Sequence, residues 1–95
     1  QIVRNLQYST RALYIAEAGV EDAIYNLKLN KNWNTGFTNK VFAGETYTVT
    51  VTNGFPNPII IDSVSTVSGS FQKHLRVQVI ISGSKPPAID YWKEI

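Results

Sequence analysis

The side chains of this 95-residue chain that could do chemistry are few and scattered. There is no cysteine and a single histidine, His74. Disulfides, zinc knuckles, cysteine nucleophiles, multi-histidine metal sites and paired-histidine catalysis are thereby excluded. Seven carboxylates run from Glu17 to Glu94, and only Glu17, Glu21 and Asp22 cluster. Residues four apart share a helix face, so Glu17 and Glu21 have the spacing of an acid/base pair. An active site also needs convergent partners, and no histidine, lysine or glycine-rich loop lies near them in sequence. The cluster therefore reads as a solvated face. Mutual repulsion makes one of the two glutamates a candidate to bond a neighbouring subunit or a loop amide. Asp62 has no companion acids at calcium-loop spacing. His74 reads as surface. Lys73 and Arg76, with Lys85 nearby, form a candidate ligand face, although three cations are also ordinary surface balance. No catalytic residue, cofactor, metal or small-molecule substrate is expected.

The elements that must carry these residues follow from composition and period. Hydrophobic residues are 43%, charged residues 17%, and the net charge is +2. A chain of this length and balance builds one globular two-layer core. It opens on Gln1, with no signal-like apolar run behind it, and no stretch is long enough to cross a bilayer. Residues 1–30 contain no proline and one glycine, Gly19. Apolar or small residues recur at Ile2, Val3, Leu6, Thr10, Leu13, Ala16, Val20, Ala23, Ile24 and Leu27, in steps of three and four that predict one long amphipathic helix. Arg4, Gln7, Arg11, Glu21 or Asp22, and Lys28 take the opposite face. Asn30 or Asn32 can end the helix.

Residues 31–44 are rich in Asn, Thr and Gly and predict a loop, anchored on the core by Trp33, Phe37 and Phe42. In residues 45–52, Tyr47, Val49 and Val51 alternate with threonines, the pattern of a half-buried strand. In residues 71–82, Phe71, Leu75, Val77, Val79 and Ile81 share one face, and Gln72, His74, Arg76 and Gln78 the other. Residues 58–68 are β-rich but irregular, since Ile59 and Ile61 oppose Val64 in parity; a bulge near Asp62 or Ser63 would reconcile them. Short turns imply an antiparallel meander. The expected core is Leu13, Ala16, Val20, Ile24 and Leu27 against Tyr47, Val49, Val51, Leu75, Val77, Val79 and Ile81. Tyr91 and Trp92 are expected to pack the tail back on this core. A helix of 30 residues extends roughly 45 Å, whereas strands of about eight residues span roughly 25 Å. Its first residues, Ile2, Val3 and Leu6, should therefore find nothing of their own chain to cover.

Residues 14–27, Tyr14-Ile15-Ala16-Glu17-Ala18-Gly19-Val20-Glu21-Asp22-Ala23-Ile24-Tyr25-Asn26-Leu27, resemble a segment of bacterial minor type IV pilins and pseudopilins. In that family an Ala-Glu-Ala-Gly-(Val/Ile)-Glu-Asp/Glu-Ala run follows the membrane-spanning half of the N-terminal helix. A variable loop, a short antiparallel sheet and a Ser-rich end come after it. The family's processing site, mature N-terminal Phe, glutamate at the fifth mature position and long apolar stretch have no counterpart here. The resemblance implies that they were lost upstream of Gln1.

The fold it implies is α+β: a long helix (residues 1–30) on a three-stranded, or four-stranded, antiparallel meander. Residues 31–95 form one globular head with residues 13–30. The function it implies is a non-enzymatic structural subunit, a minor pilin or pseudopilin, of a type IV pilus-like or type II secretion filament. The partners are other pilin subunits, met through Ile2, Val3 and Leu6, and the inner membrane, met through the missing segment of a membrane-anchored precursor. The place is the cell envelope or a surface filament. Two alternatives are a filament-tip module binding a surface or DNA through Lys73 and Arg76, and a cystatin-like inhibitor, which would not leave the first ten helical residues unused.

Overall fold

Eleven of the first thirty residues are Leu, Ala or Ile and none is Pro, and one glycine at about 1 kcal/mol is too small a penalty to interrupt them. They form a single helix, α1 (Ile2–Leu29). Asn30 closes it: its amide bonds Asn26 O, its carbonyl accepts from Trp33 N, and its side chain accepts from Asn32 N. The computed structural model describes residues 2–53, 58–81, 85 and 87–95, with the side chains of 2–6 and 53 left out. The side chains of Ile2, Val3 and Leu6 thus lie outside the described residues, as does most of the Asn53–Pro58 break.

Five strands follow: β1 (Phe37–Phe42), β2 (Glu45–Asn53), β3 (Ile59–Val67), β4 (Phe71–Ile80) and β5 (Ala88–Glu94). They pair antiparallel in the order β1-β2-β3-β4-β5, a plain meander. The protein is therefore α+β, one N-terminal helix on a five-stranded sheet, two strands more than the basic expectation. β1 arises inside the expected loop. Only Phe37 and Phe42, at its ends, are half-buried, and a register shift between Phe37 and Lys40, at the positive φ of Asn39, breaks the alternation that would announce a strand. The β1–β2 turn is two residues, Ala43 and Gly44, both at positive φ. That is a turn whose twist matches the flanking strands. β5 is the expected tail, paired along the outer edge of β4 through a bulge at Asp90.

β3 overturns the expected irregularity. It runs unbroken, with Ile59, Ile61, Ser63, Ser65 and Val67 all turned to the helix and Val64 on the outer face. No bulge is needed because two serines occupy core positions. The core stripe of α1 is correspondingly rotated. Ala12, Ile15, Ala16, Val20, Ala23 and Leu27 are buried, Ile24 packs beside them, and Leu13 is only half-buried. The small residues lie on the line of closest approach to β3, which swings Leu13 to the flank. Tyr47, Val49, Val51, Leu75, Val77 and Val79 are buried beneath the helix, and Ile81, just past β4, packs at their margin. Helix and β3 run antiparallel, so the β3–β4 hairpin tip reaches Tyr8, whose ring lies 6.0 Å from that of Phe71.

Candidate functional site

The seam between α1 and the sheet holds most of the molecule's specific polar geometry. Ser63 Oγ donates to Ala16 O at 2.8 Å, and Ser65 Oγ donates to Ala12 O at 2.7 Å. Both serines are fully buried. A buried hydroxyl without a partner is costly; here each adds a second bond to a carbonyl already engaged in the helix. Such contacts require the helix backbone to sit close on β3, and Gly19 permits it. A Cβ at Gly19 would lie 2.4 Å from Ser63 Oγ and 3.0 Å from Tyr47 Cδ1. The sequence signal for this seam is the match between the small stripe Ala12, Ala16, Gly19, Ala23 and the serines that continue the Ile59–Ile61 parity.

On the β1–β2 flank, Asp22 accepts from Tyr47 Oη at 2.5 Å and pairs with Lys40. Burial first, and then the Asp22 carboxylate, push the Tyr47 phenol well above its ordinary value. Lys40 Nζ also stands 4.3 Å from the centre of the Phe37 ring. Sequence reasoning placed Asp22 on the solvated face. It instead lies at the helix margin, where β1, an element not anticipated, brings it a cation. Nearer the N-terminus, Arg11 Nε bonds Glu45 at 2.7 Å and its guanidinium donates to Ala43 O, while Glu45 also accepts from Ser68 N. This ties the helix to two hairpin tips. Arg11 first and the Ser68 amide second hold the Glu45 carboxyl below its usual range.

Among the described residues, the outer face of the sheet carries one charged cluster. Asp62 Oδ1 meets His74 Nε2 at 2.7 Å and Arg76 Nε at 2.8 Å. Burial is the largest influence on Asp62 and pushes its pKa up. The bonds from Arg76 and His74 together outweigh it and hold the carboxyl below its ordinary value. His74 is thus half-buried and bonded. Lys73 and Arg76 do not form one patch. Lys73 shares the parity of Leu75 and pairs with Glu94, whereas Arg76 points to the opposite face and pairs with Asp62. Trp92 and Tyr91 hold the tail through backbone pairing of β5, and their rings remain exposed.

These clusters pair charges and position elements. None joins a nucleophile to a base and an enclosed pocket, and the clefts along α1 are shallow and open. Among the described residues no three His, Cys, Asp or Glu side chains converge on a metal position, and no helix is long and apolar enough to cross a membrane. Compared with protein-family models, curated protein sequences and solved structures, the chain matches none of them.

Proposed function

We propose that this chain is the head and distal helix of a structural filament subunit, of the minor pilin or pseudopilin kind, and that it performs no covalent chemistry. The observation that carries the reading is the overhang of α1. The register of α1 on the sheet carries Tyr8 to the tip of the β3–β4 hairpin, where its ring meets Phe71, and the helix backbone runs on from there to Ile2. The longest dimension, 48 Å, is slightly more than the roughly 42 Å of a 28-residue helix. An amphipathic rod that outruns its sheet has a stripe to bury elsewhere, and stripes of parallel copies can cover one another. Ile2, Val3 and Leu6 are the residues assigned to that contact. A preceding apolar segment would hold the precursor in the inner membrane and then join the helix bundle of the filament. The rigid seam at Ser63, Ser65 and Gly19 fits this role, because a load-carrying helix must not slide on its head.

The tip-binding alternative loses its simplest surface, since Lys73 and Arg76 face opposite ways and both are neutralised. The test has two parts. In the isolated chain, backbone amides of residues 2–7 should exchange far faster than those of 16–27; equal protection would mean a self-contained domain. In cells carrying the parent protein, antibodies to this chain should label sheared surface or envelope filaments, and Leu6→Asp should remove that label. Filaments that retain full label in the variant would refute the reading.

A further inference from the structure

The helix-facing side of β5 is bare. α1 packs on β2, β3 and β4, while every residue of β5 is exposed. Pairing puts Ile89 opposite Val79 and Trp92 opposite Val77, hence on the core side of the sheet, but they remain 51% and 54% exposed. Between them and the helix lies a shallow cleft, floored by Leu75 and Val77 and rimmed by Glu17 and Glu21. Asp22, Glu45, Asp62 and Glu94 each pair with a cation. Glu17 and Glu21 have no cation among the described residues. An apolar trough with an unneutralised acidic rim fits a segment that combines aromatic or aliphatic side chains with lysines.

The chain itself presents such a segment. At the C-terminal end of α1, Lys28 and Lys31 have no ion-pair partner among the described residues, and they flank Leu29, 69% exposed, one turn beyond Tyr25, 60% exposed. We propose that the α1–β5 cleft receives the Tyr25–Lys31 end of a second copy, with Leu29 and Tyr25 against Ile89 and Trp92, and Lys28 and Lys31 against Glu17 and Glu21. On one molecule Tyr25 and Leu29 are centred roughly 12 Å along the helix and about a quarter turn around it from Glu17 and Glu21. They are different surfaces, so the contact is heterologous and repeats from copy to copy instead of closing a dimer. The choice of a second copy as occupant rests on the filament reading, and the contact adds a head-to-head link distinct from the packing of Ile2, Val3 and Leu6.

The absence of cysteine makes the test direct. Chains carrying Ile89→Cys and Leu29→Cys are mixed under mild oxidation, with Thr50→Cys, on the outer sheet face, replacing Ile89→Cys as control. The expected result is a disulfide-linked heterodimer from the first mixture only. Its yield should fall about fivefold to tenfold when Glu17→Lys and Glu21→Lys are added to the acceptor chain. It should return when the donor carries Lys28→Glu and Lys31→Glu. These are exposed substitutions, and unchanged melting temperatures confirm intact folds. Equal cross-linking of the control, or no recovery on double reversal, overturns the proposal. So does equal binding of a scrambled Tyr25–Lys31 peptide, which would assign the cleft to basic segments in general. Filaments that tolerate Glu17→Lys and Glu21→Lys but not Leu6→Asp would sink this contact alone and leave the filament reading standing.

Discussion

Gly19→Ala should destabilise this protein, against the ordinary preference of a helix. In an open helix interior the change gains about 1 kcal/mol. Here the added Cβ would meet Ser63 Oγ at 2.4 Å and the Tyr47 ring at 3.0 and 3.1 Å. The first distance cannot be tolerated, so either Ser63 leaves Ala16 O or the helix lifts from β3. Losing the bond strands a buried hydroxyl, at about 1–3 kcal/mol, and overpacking of the Tyr47 side adds about 1–3 kcal/mol. Against the propensity gain, the net loss is about 1–5 kcal/mol. For a domain of this size that lowers Tm by at least about 5 °C. Urea denaturation of the parent, Gly19→Ala, Ser63→Ala and the double variant gives the cycle. Ser63→Ala removes the obstructing atom, so Gly19→Ala should cost distinctly less in that background, with a coupling of about 1–2 kcal/mol. Ala18→Gly, one residue away, should show the normal loss of about 1 kcal/mol. If Gly19→Ala is neutral or stabilising, or if the cycle is additive, the close approach of α1 to β3 is not what Gly19 provides.

Other outcomes follow from the charged clusters. The Tyr47 phenol has a folded pKa raised above its unfolded value, so its contribution is complete below about pH 10 and lost as pH rises beyond it. Tyr47→Phe should flatten alkaline unfolding between pH 10 and 12, roughly, as followed by circular dichroism. Asp62 has a depressed folded pKa. Its contribution is present above the unfolded value of about 3.9 and fades as pH falls below it, and acid titrations of Asp62→Asn should lack that component. Arg11→Ala should cost little in denaturant, because the Arg11 side chain is half-exposed and solvent screens its pair with Glu45, while amide exchange at Ser68 rises measurably. A loss of several kcal/mol would mean that this latch carries the fold, contrary to its exposure.

The helix, three of the five strands, the meander and most of the core were legible in the sequence, because period and alternation report directly which face of an element is covered. Tyr47, Val49 and Val51 alternate with threonines and lie buried as that pattern requires. Leu75, Val77 and Val79 do the same. β1 was not legible. An edge strand needs only one neighbour, so Phe37–Phe42 carries just two half-buried side chains and a bulge at Asn39. β3 was misread for the opposite reason. Ser63 and Ser65 break the apolar rule at core positions, and they are acceptable there only because helix carbonyls stand within reach.

The candidate contacts divide along the same line. That Glu17 and Glu21 share a helix face, that Lys28 and Lys31 follow at the helix end, and that Gly19 calls for a reason are properties of spacing, and the sequence alone determines them. Which strand each meets is a property of packing. Only the folded sheet brings Lys40 to Asp22, pairs Lys73 with Glu94 and Arg76 with Asp62, and leaves Ile89 and Trp92 uncovered beside the acidic rim. The reason is that local periodicity fixes the direction of a side chain within its element, whereas long-range partners depend on how closely two elements approach. In this protein that distance is set by four small residues and two buried hydroxyls.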